Sequence, residues 1–153
     1  MSVVFNHIGL CVTDLAASRR FYEEVFGFEF LYEMQPPDDV TGRLLGLDGR
    51  RLGMTAAYLR LEGFTLELLH FAPEARGPFR SRVMNEPGLT HLSVSVDDVP
   101  ATLARVPDLG GTVLFETDLA GLAIMVRDPD GQLIEVLPMS YREALEAQDV
   151  QAD

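Results

Sequence analysis

Asn6-His7-Ile8-Gly9-Leu10-Cys11-Val12-Thr13-Asp14-Leu15 and Thr90-His91-Leu92-Ser93-Val94-Ser95-Val96-Asp97-Asp98-Val99 are two copies of one pattern, 84 residues apart. Histidine falls on histidine, the apolar positions match, and the closing aspartates coincide. Gly27 and Gly111 keep the same offset. A second pair of segments matches at an offset of 68: Glu62-Gly63-Phe64-Thr65-Leu66-Glu67-Leu68-Leu69 over Asp130-Gly131-Gln132-Leu133-Ile134-Glu135-Val136-Leu137. An acid–glycine turn precedes each strand, and glutamate falls on glutamate. Self-similarity of this kind identifies a duplicated unit. The change of offset assigns about 16 extra residues to the first copy, placed in Met34 to Gly53, which is rich in Pro, Gly and Asp.

Each copy reads as βαβββ. Alternating apolar residues predict a first strand over Val3–Val12, and over Thr90–Val96 in the second copy. Asp14 and Asp98 are placed to cap the helices that follow. Those helices run over Ala16–Phe26, with Phe21, Tyr22, Val25 and Phe26 on one face, and over Pro100–Val106. Glycine ends each of them. Three strands follow in each copy, over 28–33, 54–61 and 64–71, then over 112–117, 123–127 and 133–138. The expected organisation is a first module at 1–72, a linker at 73–88, a second module at 89–139 and a tail at 140–153. Within that tail a short helix over Tyr141–Gln148 is expected, with a frayed acidic end. The fold class is α+β, with the two tandem modules forming a cupped, barrel-like mixed sheet around a metal site.

Strand parity places the polar residues. Side chains alternate faces along a strand. In the first strands Ile8, Leu10 and Val12, or Leu92, Val94 and Val96, turn to the helix, so His7 and His91 turn away. In the last strands Leu66 and Leu68, or Ile134 and Val136, take the helix face, leaving Glu67 and Glu135 opposite. A glutamate between leucines is costly unless paired. Taken alone, each of these four residues has an ordinary reading as a surface or satisfied group. Together, two imidazoles and two carboxylates form an N2O2 set suited to a divalent cation, with positions left open for water or substrate oxygens. His70 falls on the helix face and reads as a bystander.

Composition narrows the function classes. The chain has 153 residues, 47 % of them hydrophobic, and a net charge of −12 from 24 acidic and 12 basic residues. Such a surface repels phosphate backbones, so no nucleic-acid partner is expected. All basic residues are arginine, which removes lysine Schiff-base chemistry and Walker-type loops. Cys11 is the sole cysteine, so no intrachain disulfide or multi-cysteine zinc site is possible. No apolar stretch reads as a membrane span and no basic-then-apolar leader opens the chain, so a cytoplasmic location is expected.

These segments resemble the vicinal oxygen chelate superfamily, which includes glyoxalase I, methylmalonyl-CoA epimerase, extradiol dioxygenases and the fosfomycin and bleomycin resistance proteins. The resemblance is carried by Asn6-His7-Ile8-Gly9-Leu10, by Phe21-Tyr22 with Phe26-Gly27-Phe28, by Leu66-Glu67-Leu68-Leu69, by Thr90-His91-Leu92 with Val96-Asp97-Asp98-Val99, and by Asp128-Pro129-Asp130-Gly131 leading to Ile134-Glu135. It covers nearly the whole chain and is weakly specific for any one member. It implies metal ligands at His7, Glu67, His91 and Glu135, and a cofactor drawn from Ni, Co, Zn, Mn or Fe. It also implies a glyoxalase-like lyase or isomerase that moves a proton next to a carbonyl through an enediolate. Glu135 is the first candidate for the base and Glu67 the second. The substrate would be a small carbonyl compound or thioester, and the assembly a homodimer.

Rival expectations follow from the same resemblance. One is a methylmalonyl-CoA epimerase-like enzyme. Another is an extradiol dioxygenase using His7, His91 and Glu135 on iron, in which Glu67 has no required place. A third is a resistance protein that binds a drug without catalysis or metal; those commonly lack the four ligands. Arg43, Arg50, Arg51, Arg76, Arg80 and Arg82 are the available anion contacts, although solvated surface groups are the simpler reading of them. The insertion at Met34 to Gly53 is a candidate lid over the site, with an ordinary surface loop as the equal alternative.

Overall fold

In the computed structural model, residues 2–47, 51–80 and 83–149 are described. The element order is β1 (Ile8–Val12), α1 (Leu15–Phe26), β2 (Glu29–Met34), α2 (Asp38–Leu45), β3 (Thr55–Leu61), β4 (Phe64–His70), β5 (His91–Val96), α3 (Val99–Asp108), β6 (Thr112–Leu114), a 3₁₀ turn (Phe115–Thr117), β7 (Ile124–Arg127), β8 (Leu133–Pro138) and α4 (Met139–Asp149). The strands make two four-stranded mixed sheets, ordered β1-β4-β3-β2 and β5-β8-β7-β6. Neither sheet closes on itself. The chain divides into two units, Met1–Glu23 with Gly27–Phe79, and Glu24–Phe26 with Arg80–Asp153.

Both helix starts follow from the aspartates. Asp14 accepts a hydrogen bond from the Ala17 amide at 3.0 Å, and Asp98 from the Ala101 amide at 2.9 Å. These bonds satisfy amides that a helix start leaves unpaired. Gly27 ends α1 in the left-handed conformation, at φ 77°. The end of α3 differs slightly from expectation. The helix runs through Pro107 to Asp108, and Gly110 rather than Gly111 takes the positive φ, at 84°.

The core of each unit lies between its sheet and its helix. In the first, Phe21 and Tyr22 of α1 are buried, as are Leu59, Leu66 and Leu68. Tyr22 meets Phe28 edge-on at 5.6 Å between ring centroids, and Phe28 meets Phe64 at 6.5 Å. In the second, Thr102 and Val106 of α3 are buried, as are Val126, Ile134 and Val136. The parity read from the sequence therefore holds in β4 and β8, where leucine, isoleucine and valine neighbours of each glutamate fill the core.

Three further element boundaries depart by two residues or more from the sequence reading. The first strand begins at Ile8, not Val3. In the parallel register Ile8 lies opposite Leu66, and β4 starts at Phe64, so residues 3–5 run past the end of their only neighbour. Val3, Val4 and Phe5 are accordingly exposed. The strand expected over 112–117 stops at Leu114. There the Thr117 hydroxyl accepts from the Met125 amide at 2.9 Å, replacing a backbone ladder bond, and the chain turns into the 3₁₀ segment. The C-terminal helix starts at Met139, directly from β8, and the acidic tail at 150–153 lies outside the described residues.

The insertion at Met34 to Gly53 is not simply a loop. It contains α2, with Asp38 and Asp39 in its first turn and Gly46 left-handed at its end, at φ 65°. Acids at a helix N-terminus and glycine after its last turn are ordinary start and stop signals. Thr41 and Gly42 are buried. Asp38 accepts a hydrogen bond from the Gly53 amide at 3.0 Å, tying the two ends of the insertion together.

Two substitutions test this packing. Alanine normally stabilises a helix interior over glycine by about 1 kcal/mol. At Gly42, however, an added Cβ would stand 2.7 Å from the Leu47 backbone oxygen, which cannot swing aside. Gly42→Ala is therefore expected to destabilise by roughly 1–3 kcal/mol in a denaturant titration, and a gain in stability would contradict the buried placement of α2. Asp128, buried at 3 % exposure, accepts from the Asp130 and Gln132 amides at 2.9 and 2.8 Å and so shapes the turn that feeds β8. Asp128→Ala is expected to cost about 2–4 kcal/mol, since charge-assisted bonds to a buried acceptor are lost together; Asp128→Asn should cost less.

Candidate metal centre

The first and last strands of each module lie side by side and parallel. Gly9 is opposite Glu67 in one sheet, and Ser93 is opposite Glu135 in the other. Each histidine stands two residues before the partner of the glutamate. Two residues is one full strand period, so histidine and glutamate share a face and meet diagonally across the pair. The same register builds the same pair twice.

In the first unit His7 Nε2 lies 3.2 Å from Glu67 Oε2, with the histidine 40 % and the glutamate 12 % exposed. In the second unit His91 Nε2 lies 3.8 Å from Glu135 Oε2, at 29 % and 31 % exposure. Two donors bound to one ion at about 2.1 Å each, at angles near 90–110°, stand roughly 3.0–3.4 Å apart. The first pair has that separation and the second needs only a few tenths of an ångström of adjustment. Both imidazoles offer Nε2, the nitrogen aimed at the carboxylate. Among the described residues no three His, Cys, Asp or Glu side chains gather at metal-binding distance, so each unit presents a two-donor pair.

The pairs are held by different neighbours. In the first unit Tyr58, opposite Glu67 on β3, donates its hydroxyl to Glu67 Oε1. The same ring meets His7 edge-on at 5.8 Å and stacks on Tyr32 at 4.6 Å. Burial first, then the hydrogen bond to Glu67, the charge of Glu67 and the neighbouring Tyr32 push the Tyr58 phenol well above its ordinary range. It therefore stays protonated and acts as a donor. In the second unit Thr90 Oγ1 lies 2.8 Å from His91 Nδ1, which orients the ring, and Ser93 donates to Glu135 Oε2 at 2.8 Å. Outer contacts of this kind fix ligand direction at metal sites.

Sequence reading identified the four paired residues and missed Tyr58. The signal was present: Tyr58 shares the parity of Glu67 and precedes it in the same hairpin. Only the β3–β4 register, turned at Glu62-Gly63, puts the two opposite each other. His70 lies on the helix-side parity, opposite Thr55 and Val12. The candidate anion contacts disperse. Arg76 donates to the Thr13 carbonyl at 3.1 Å and Arg43 to the Asp39 carbonyl at 3.3 Å, while Arg51 and Arg80 are exposed. Arg50 and Arg82 lie outside the described residues. A cavity of about 480 Å³ in the second unit, walled by Leu103, Phe115, Ile124 and Val136, opens on the α3 side of its sheet, away from Glu135.

Comparison with known proteins fits this architecture. A stretch from residue 4 to residue 136 matches the family described as the Glyoxalase/Bleomycin resistance protein/Dioxygenase superfamily. An ethylmalonyl-CoA/methylmalonyl-CoA epimerase from Cereibacter sphaeroides is 27 % identical over 111 residues, spanning 71 % of this chain and 72 % of that protein. The trypanothione-dependent glyoxalase I of Leishmania major shares the fold with a TM-score of 0.70 at 22 % identity, over 99 % of this chain and 97 % of that one. The fosfomycin resistance protein FosX of Listeria monocytogenes, solved with Mn(II) and a dihydroxypropylphosphonic acid, has a TM-score of 0.63 at 19 % identity, over 90 % and 93 %. With the family match extending through both duplicated modules, the chain belongs to the Glyoxalase/Bleomycin resistance protein/Dioxygenase superfamily.

Proposed function

We propose that this protein is a glyoxalase-like, metal-dependent lyase or isomerase that transfers a proton next to a carbonyl. His7, Glu67, His91 and Glu135 are its ligand set for a divalent ion. The observation that carries the reading is the repeated register: a histidine Nε2 beside a glutamate oxygen, in the same strand-pair geometry, in both units. Shared ancestry of the modules explains matched apolar residues. It explains less well the retention of two half-buried carboxylates, each with an imidazole. Two carboxylates and two neutral imidazoles balance a divalent charge and suit Ni, Co, Zn, Mn or Fe without choosing among them.

When bound, such an ion supplies Lewis acidity to substrate oxygens. The remaining work belongs to the chain. Glu135 is the base: its carboxylate takes the proton from the carbon beside the carbonyl and returns it to the neighbouring carbon on the same face; inversion at a single carbon would need a second acid on the opposite face. Glu67 is the second candidate, but both its oxygens already have partners in Tyr58 and His7. The substrate class is a small carbonyl compound or thioester.

A specific observation favours the epimerase variant as a second reading. The epimerase from Cereibacter sphaeroides is similar over most of both chains, and that chemistry on an acyl-CoA thioester would use Glu135 to take the proton and Glu67, the second candidate, to deliver one on the other face. The dioxygenase reading leaves Glu67 without a role, and the non-catalytic resistance reading leaves all four donors without one.

Metal analysis and isotope exchange test the proposal together. Purified protein supplied with each of the five metals should bind about one ion per His-Glu-His-Glu set, and the Glu67→Gln/Glu135→Gln double variant should bind far less. In deuterated water the loaded parent should place solvent deuterium beside the carbonyl of a hemithioacetal or of a methyl-branched malonyl thioester. Glu135→Gln should slow that exchange about 10²–10⁴-fold. Substoichiometric metal after supplementation, or oxygen uptake on catechols with the iron form, would count against the isomerase reading.

A further inference from the structure

We infer that Tyr58 is the positioning residue that fixes Glu67 for the metal, and that the two halves of the ligand set are unequal because, among the described residues, only the first has an aromatic donor on its glutamate. This rests on the metal-site reading above. The two modules have the same strand pairings, so their supports can be compared place by place. Opposite Glu67 on β3 stands Tyr58; opposite Glu135 on β7 stands Met125. A thioether cannot donate a hydrogen bond. Opposite Glu67 on β1 stands Gly9; opposite Glu135 on β5 stands Ser93.

The consequences differ in kind. A Cβ on Gly9 would stand 3.4 Å from Glu67 Oε2 and 3.3 Å from Leu69 Cδ1. Glu67 thus leans into room that glycine leaves, and its direction comes from the far side, from Tyr58. Tyr58 is itself braced, stacked on Tyr32 with ring planes 23° apart. One rigid aromatic therefore holds Glu67 Oε1 by its hydroxyl and meets the His7 ring edge-on. Glu135 is held by a single small hydroxyl, Ser93, on the same oxygen that faces His91. The first pair is braced by a stacked aromatic, and the second, among the described residues, by the Thr90 and Ser93 hydroxyls. Glu67 is thus held by a rigid, braced ring, and Glu135 by a small hydroxyl on a single rotatable bond.

The chain has four tyrosines and no tryptophan, so a tyrosine ultraviolet difference spectrum is readable. Metal-free parent, Tyr58→Phe and Tyr32→Phe proteins are titrated with Zn²⁺ while that spectrum is followed, and with Co²⁺ for affinity and visible absorption. The parent is expected to show a tyrosine difference signal that saturates with the metal, because withdrawal of Glu67 electron density alters the bond it accepts. Tyr58→Phe should lack the signal, bind Co²⁺ about 10–100-fold more weakly, and show an altered cobalt spectrum. Its melting temperature without metal should stay within roughly 4 °C of the parent. Tyr32→Phe keeps the stack and should bind as the parent does. Parent-like affinity in Tyr58→Phe, or metal binding by the parent with no tyrosine signal, overturns this inference and leaves the site reading standing. A parent that binds neither ion overturns both. Were Tyr58→Phe to misfold, the presence or absence of the tyrosine signal in the parent and in Tyr32→Phe decides the matter.

Discussion

The parallel pairing of the first and last strand in each module is the constraint on which the rest depends. It sets Gly9 against Glu67 and Ser93 against Glu135. A slip of one residue in β4 would exchange Leu66 and Leu68, both fully buried, for Glu67, and send the leucines out of the core. Desolvating that carboxylate among aromatics would cost several kcal/mol, on top of about 1.5–3 kcal/mol for each leucine exposed. Core and site are thus fixed by one register. Any sequence change that keeps the hydrophobic packing of β4 and β8 also keeps the two glutamates aimed away from the helices.

Parallel neighbours cannot be joined by a tight turn. Here the connection from β1 to β4 passes through α1, β2 and β3, and that from β5 to β8 through α3, β6 and β7. The intervening hairpin strand is what brings a third side chain to the pair. In the first module this is Tyr58, and in the second Met125. The histidine–glutamate pair follows in both modules from the shared register, whereas its neighbours sit at positions that the register places but does not dictate. That is why the donors match between halves and their neighbours do not.

Much of this was legible in the sequence. The duplication, the βαβββ order, the capping aspartates and the facing of His7, Glu67, His91 and Glu135 follow from spacing and parity alone. What escaped has physical causes. The strand over Val3–Val12 was read too long because propensity reports what a residue favours, not whether a neighbour is there to pair with; β4 ends the ladder at Phe64. The 3₁₀ turn at Phe115–Thr117 depends on a Thr117 hydroxyl reaching Met125 across the sheet, which no local pattern reveals. Helix α2 was hidden by the Pro-Pro-Asp-Asp and Gly-rich composition around it, although those residues are its start and stop. Tyr58 needed the pairing of β3 with β4, a fact of register and not of composition.

The insertion acquires a different character from that of a hinged lid. Leu52, Met54, Ala56 and Phe71 form a buried cluster, with Tyr58 and Leu69 packed against it. Ala56, Tyr58 and Leu69 have the parity of Glu67, so this cluster covers the same face of the sheet as the candidate site. Gly42 of α2 approaches Leu52, and the Asp38–Gly53 bond closes the insertion on itself. Among the described residues, Leu52 of the insertion is therefore packed on the face that carries Tyr58. Displacing Leu52 from this cluster would expose it to water. Any ligand reaching Glu67 from that side meets packed side chains, so the shape of this wall and not a flexible segment is what it would encounter.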